Sequence, residues 1–229
     1  MTLMLIAESG AAGAAGAAYR EIKQRIIEGN YAPGKKLSEA RLSAELGVGR
    51  SPIRTALARL QAEGWIEISP QSGTYVRGLS GKEIDDVLEI RLVLETYVAG
   101  LAAKRITDAV LKQLRRAFDA FGSTVTNERV NDYLELDLEV HVAIHHAAGN
   151  SLITQNLLNL IDKVRWIRRG STAWPVRIQE AYEEVQQILE ALERRDAAAA
   201  RQAMRQHIQA IIDFRKNMET LPRRTSAVS

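Results

Sequence analysis

Between Gly34 and Gly64 apolar residues return every three to five positions, first as Leu37, Leu42 and Leu46 and then as Ile53, Leu57 and Leu60, with Gly47-Val48-Gly49 between the groups. That period predicts two short helices around a tight turn. Trp65, Ile66 and Ile68 then lead into Pro70-Gln71-Ser72-Gly73, and Thr74, Tyr75 and Val76 follow. This predicts a β-hairpin with a four-residue tip. Helix, helix, turn, helix and hairpin over residues 19–78 is the order of a winged helix-turn-helix. A linker is expected at residues 79–82, around Gly78-Leu79-Ser80-Gly81, and beyond it the pattern is helical throughout. Helices are predicted near 82–104, 108–121, 127–148, 152–170, 175–195 and 196–218, with starts marked by Asp108, Asn127, Ser151, Pro175 and Asp196. Residues 83–219 therefore predict an antiparallel bundle of six to seven helices, and the chain as a whole a mostly α protein. The Ala/Gly-rich residues 1–18 and the residues 220–229 are expected to be flexible tails.

Composition adds exclusions. With 229 residues, 46% of them hydrophobic and 26% charged, the chain has ample material for packed cores. It has no cysteine, which removes disulfides and Cys-ligated zinc and favours a reducing, cytoplasmic setting. Charges break every hydrophobic stretch before the roughly 18–20 residues that a membrane-spanning helix needs, so no membrane partner is expected. The net charge of +3 is unevenly spread: residues 19–80 hold ten basic and six acidic side chains, whereas residues 81–229 balance. A basic N-terminal module beside a neutral domain fits a nucleic-acid-binding role for the former.

Within that module, Gly49-Arg50-Ser51-Pro52-Ile53-Arg54-Thr55 has the chemistry of a recognition helix. Pro52 fits the first turn, and Gly49 or Ser51 can cap. Arg50 and Arg54 lie four apart, on one face, and a guanidinium offers two parallel donors to a guanine edge. Ser51 and Thr55 are placed for phosphate contacts or for simple capping, and the alternative for the arginines is a solvated helix face.

In the helical half, ionisable groups on apolar stripes require explanation. Arg91 interrupts the stripe Ile84, Val87, Leu88, Leu94, Val98; it either pairs with Glu95 one turn on or faces an anionic ligand. The helix from Val130 to Ile144 is apolar nearly all round, yet Asp137, His141 and His145 recur on it every four residues. A carboxylate and an imidazole one turn apart can grip one divalent ion, or can simply hydrogen-bond to each other. All three cannot share an ion, because residues 137 and 145 are about 12 Å apart along the helix. His207, on the last stripe with Met204 and Ile211, is the candidate from another helix. His145 and His146 are expected to line a cavity or to pack in the core.

The residues from Tyr19 to Gly78 resemble the DNA-binding domain of the GntR family of bacterial transcription regulators. The resemblance rests on Ile26-Ile27-Glu28-Gly29 through Pro33-Gly34 to Leu37, on Ser38-Glu39, Leu42 and Leu46-Gly47-Val48, on Arg50-Ser51-Pro52-Ile53-Arg54, Leu57 and Leu60, and on Glu63-Gly64 and Gly73-Thr74-Tyr75-Val76. It implies a recognition helix in the major groove, with Arg50 and Arg54 near bases, Ser51 and Thr55 near phosphate, and Gly73 letting the wing approach the minor groove. Gly49 stands where the family commonly has Ser and Ala40 where many members have a polar or basic residue, so one backbone contact is expected either to be missing or to be supplied by Arg41.

Residues 83–216 are similar to the all-helical ligand-binding domain of the FadR-type branch of that family, known as the FCD domain. Glu89-Ile90-Arg91, Leu94-Glu95, Asp137 and His141 with Ala148-Gly149-Asn150, Ile188-Leu189, Asp196, Ala200, Met204 and His207 carry the similarity. Many members of that branch hold a divalent metal through one Asp and three His and use it to bind small carboxylates. The resemblance implies metal ligands at Asp137, His141 and His207, for Zn, Ni or Mn, while the fourth position is Val185, which cannot coordinate. It also implies an effector site with Arg91 and His145, a homodimer, and a short palindromic operator. The expected function is a ligand-responsive repressor released by a small organic acid. The alternative is a metal-dependent hydrolase using Asp137, His141 and His207, although no H-E-x-x-H helix, nucleophile elbow or phosphate loop accompanies them.

Overall fold

A computed structural model describes residues 13–170 and 177–220. Their contacts form two units: residues up to Ser80 with Arg165–Gly170, and Gly81–Val164 with the residues from 177 on.

The first unit opens with α1, Ala14–Ile27, which buries Gly16, Ala18, Tyr19, Ile22 and Ile26. Residues 14–18, expected as part of a tail, are therefore helical. Alanine is the best helix former, and small side chains here fit a buried face. The remainder of that expected tail, residues 1–12, lies outside the described residues. A short strand β1, Lys36–Leu37, precedes α2, Glu39–Leu46. Ser38 caps α2 by accepting from the Arg41 amide, and Gly47 ends it in the left-handed conformation, at φ 63°. The helix α3, Arg50–Ala62, starts at Gly49 without a side-chain cap and buries Ile53, Ala56, Leu57 and Leu60. Strands β2, Ile66–Ser69, and β3, Gly73–Val76, pair antiparallel with Ile66 opposite Val76 and Ser69 opposite Gly73. Gly73 thus lies in a strand, and the hairpin tip is Pro70-Gln71-Ser72, one residue shorter than expected. The sheet order is β1-β3-β2; two residues are too few for β1 to show any alternation in the sequence.

The second unit is all helical among the described residues. It comprises α4 (Gly81–Arg105), α5 (Asp108–Phe121), a 3-10 turn at Asn127–Arg129, α6 (Val130–Ala147), α7 (Ser151–Gly170) as far as Val164, α8 (Ile178–Glu193) and α9 (Ala197–Thr220). Gly81 and Lys82, expected in the linker, belong to α4. Thr107 caps α5 by accepting from the Val110 amide, and the helix covers the expected 108–121. Pro175, the expected start of the next helix, and residues 221–229 of the expected tail lie outside the described residues. Val98, Ala99, Ala102, Val140, Ile144, Val185, Ile188, Met204 and Ile208 form the centre of the core, contributed by α4, α6, α8 and α9. As its near-continuous apolar character implies, α6 is the buried helix: Val140 and Ile144 are 0% exposed. No helix among the described residues is long and apolar enough to cross a membrane.

Candidate functional site

The outward face of α3 is built by its own periodicity. With Ile53, Leu57 and Leu60 turned inward, Arg50, Ser51, Arg54 and Thr55 are all exposed. Arg50 makes no ion pair among the described residues. Arg54 donates from Nε and Nη2 to the two carboxylate oxygens of Glu39 on α2, at 3.1 and 3.0 Å, with 73% of its side chain exposed. A pair this open to water is readily exchanged for a stronger anion. The Thr55 hydroxyl donates to the Ser51 carbonyl at 3.2 Å, the local bond that competes with an outside contact. Arg41, on the exposed side of α2, donates to Glu45 at 2.6 Å.

At the wing, Gln71 has φ 66° and Gly73 φ 127°, both in the region that disfavours side chains. A Cβ on Gly73 would also lie 2.7 Å from Cε of Lys36. The glycine therefore serves the seating of Lys36 across the sheet, beside the Tyr75 ring, whose centroid lies 5.8 Å from Lys36 Nζ. The sequence reading missed Lys36 and Tyr75 as wing residues. Lys36 was visible only as part of the basic excess, because its strand is two residues long.

The second constellation is buried in the helical unit. Asp137 and His141 from α6 and His207 from α9 are each 1% exposed. Asp137 Oδ1 lies 3.6 Å from His141 Nε2 and 3.6 Å from His207 Nε2, and the three ligand atoms all fall within 4.8 Å of one another. What aims the two rings is a matched pair of relays. His141 Nδ1 bonds Glu95 Oε2, and Arg91 Nε donates to Glu95 Oε1 at 2.6 Å. His207 Nδ1 bonds Glu184 Oε2 at 2.9 Å, and Arg177 Nη2 donates to both Glu184 oxygens at 2.6 and 2.7 Å. Since a carboxylate only accepts, each Nδ1 carries the proton, and each Nε2 presents a lone pair to the common point. Neither Nε2 has a hydrogen-bond partner among the described residues.

Two imidazole lone pairs and a carboxylate oxygen converging in a buried space repel one another unless a proton or a cation lies between them. The residues therefore fit a divalent ion of N/O preference. The titration directions of the two rings differ: the His207 lone pair is the more readily free, whereas His141 favours a proton in the absence of a cation. Burial pushes the His207 imidazole below its usual value against the pull of Glu184 and Asp137. Burial also lowers His141, but the carboxylates of Glu95 and Asp137 outweigh it and leave His141 raised. Glu95 is held well below the usual carboxylate range: burial opposes this, and Arg91 and His141 prevail. Val185 is 0% exposed in the apolar core and brings no ligand atom.

His145 stands apart from this trio, as the rise along the helix requires; its Nε2 lies 3.5 Å from Glu95 Oε2. Burial lowers its pKa. His146, expected in a cavity or core, is exposed instead. Arg91 pairs with Glu95, the first of the two readings offered for it, and it also lines a small cavity with Glu95, His141 and His145. The opposite lining is Leu138, Leu157, Leu160, Ile161 and Val164. The relay residues Glu184 and Arg177 were not singled out as such from sequence; Arg177 is the residue before α8 and Glu184 lies in the second turn of that helix.

Two family profiles match the chain, one over each half. The profile of bacterial regulatory proteins of the gntR family matches residues 14–76, and the FCD domain profile matches residues 86–210. The HTH-type transcriptional repressor RspR of Escherichia coli (strain K12) is 31% identical over 196 residues, 84% of this chain and 85% of that protein. The gluconate operon transcriptional repressor of Bacillus subtilis (strain 168) is 28% identical over 203 residues, 84% of this chain and 81% of that protein. Among solved structures, a GntR regulator from Rhodococcus sp. RHA1 superposes with a TM-score of 0.71 at 19% identity, covering 91% of this chain and 99% of that one. Escherichia coli McbR/YncC gives 0.69 at 19% identity, covering 91% and 100%. At those identities the two structures bear on the fold alone.

Proposed function

The chain belongs to the GntR family of bacterial transcription regulators, with an FCD domain behind its winged helix, and from that premise we propose that it is a homodimeric repressor released from a palindromic operator by a small carboxylate. It is a transcription regulator and not an enzyme: the relatives are transcription regulators, and nothing among them favours the hydrolase alternative. Its N-terminal domain binds operator DNA and its C-terminal domain a small-molecule effector.

The observation that carries the finer reading is the charged cluster buried in an otherwise apolar bundle. A folding core does not need five ionisable groups at Arg91, Glu95, Asp137, His141 and His207, and burying them is costly. Such an arrangement is retained where it binds something. Asp137, His141 and His207 would hold one divalent ion, Zn, Ni or Mn, and Glu95 and Glu184 keep the two imidazoles in the ligating tautomer. The ion, with protein ligands on only part of its shell, supplies when bound a Lewis-acid position for an effector oxygen. Arg91 and His145 hold the acid group from the cavity side. On DNA, Arg50 and Arg54 read bases, with Arg54 releasing Glu39 to do so; Ser51, Thr55 and Arg41 contact phosphates, and the wing at Gly73 meets the minor groove.

Ile90, Val93 and Tyr97 support the homodimer. They lie on one face of α4 at 41, 67 and 52% exposure. A second copy covering this stripe would give the two-fold symmetry that a palindrome requires. A cytoplasmic location accords with this reading, since a regulator works where the DNA is. Gel shifts of the purified protein on its own promoter, with and without small carboxylates and with and without chelator, test the reading. Operator binding that no acid alters would refute the effector part, and a monomer at micromolar concentration would refute the dimer.

A further inference from the structure

The cavity beside the ion site has two unlike walls. One is polar. Arg91 spends only its Nε on Glu95, and its two terminal nitrogens make no hydrogen bond among the described residues. Neither ring nitrogen of His145 has a hydrogen-bond partner there either. This wall offers donors to one anionic head group. The other wall is hydrocarbon. Leu157, Leu160, Ile161 and Val164 form a single i, i+3, i+4, i+7 face of α7, joined by Leu138 of α6. No hydroxyl, amide or charge lies on that wall among the described residues.

We infer that the effector is a short aliphatic monocarboxylate, its acid group held by Arg91 and His145 and its carbon body laid against the α7 face. The inference rests on the effector reading above and narrows it. From Leu157 to Val164 is about 10 Å along α7, which suits a body of roughly four to six carbons. A polyhydroxylated acid would bury hydroxyls against leucine and isoleucine without partners, at a loss on the order of tenfold or more in affinity for each. A dicarboxylate would bring its second charge against aliphatic carbon. As it stands the cavity has room for about one water, some 10 Å³, so the ligand enters by parting α7 from α6. Leu160 and Ile161, only half-buried, are the side chains placed to yield.

The test uses the full-length protein with 3-methylbutanoate, hexanoate, D-gluconate and succinate, reading affinity by calorimetry and operator release by gel shift. The first two should bind at least about tenfold tighter than the last two and should alone release the operator. Ile161→Asn, at a half-buried position, should weaken 3-methylbutanoate by about tenfold. Leu160→Asn is a second variant on the same wall, should the first fold poorly. Tightest binding and operator release by gluconate or succinate would overturn the aliphatic inference and leave the effector reading standing. Binding of 3-methylbutanoate unchanged by both variants would overturn the placement on α7. If none of the acids binds or releases the operator, both the inference and the effector reading fall.

Discussion

Replacing Glu184 by Gln isolates what the relay from Arg177 contributes to His207. The exchange keeps size and one acceptor but removes the charge that faces Arg177 at 2.6 and 2.7 Å and His207 Nδ1 at 2.9 Å. Arg177 is 3% exposed, so its guanidinium loses its counter-charge in a place water reaches poorly. Breaking a fully buried pair costs about 3–5 kcal/mol. Glu184 retains 22% side-chain exposure and Gln still accepts a bond, which brings the expectation down to about 2 kcal/mol. For a chain of this size that lowers the melting temperature of the helical domain by about 4–8 °C. Ion affinity should fall separately, by about 10–100-fold, because a neutral amide orients and polarises the imidazole less well. Melts in chelator give the first quantity. Competition for zinc against a chromophoric chelator, run well below both melting temperatures, gives the second. The double change Arg177→Met with Glu184→Leu removes both charges and should recover most of the stability but none of the zinc affinity. A single variant that melts and holds zinc like the parent would refute the relay; loss of stability alone would reduce it to a structural ion pair.

Arg50→Ala and Arg54→Ala should each weaken specific operator binding by about 1–3 kcal/mol at matched salt while the helical domain melts unchanged, and unaltered gel shifts by the double variant would remove α3 from the groove. Zinc affinity should rise with pH: His141, raised by Glu95 and Asp137 despite burial, binds a proton that the ion must displace, so proton release should accompany zinc uptake in calorimetry across two buffers. Val185→His should tighten zinc further by adding a ligand from α8, read by the same chelator competition. In the N-terminal unit, Tyr19 donates to Glu63 at 2.6 Å, and burial, then that carboxylate, push its phenol up to about 12 from 10.0. A raised pKa gives stability that is complete below pH 10 and lost as pH rises toward 12, so alkaline unfolding should be steep there and flatter in Tyr19→Phe.

Whatever lies within a turn or two of helix is legible in the order of residues. The Leu and Ile period turned Arg50 and Arg54 outward, Asp108 marked the start of α5, and the four-residue step put Asp137 and His141 together while keeping His145 from the point where they meet. These are i, i+3 and i+4 relations, fixed by helix geometry before any packing occurs. Packing decided the remainder. Whether His207 meets Asp137 depends on how α9 lies against α6, about seventy residues apart in the chain, and side-chain spacing carries no record of it. The same holds for Glu95 reaching His141, for the short strand β1 that exists only because β3 pairs with it, and for the start of α1, where an Ala/Gly run reads as a tail until Ala18 is buried. In Arg177 and Glu184 the two levels meet. Their spacing of seven brings them within reach of each other, but only the presence of His207 opposite gives this largely buried ion pair a task beyond charge balance, because it aims an imidazole lone pair at a point that α6 and α9 define together.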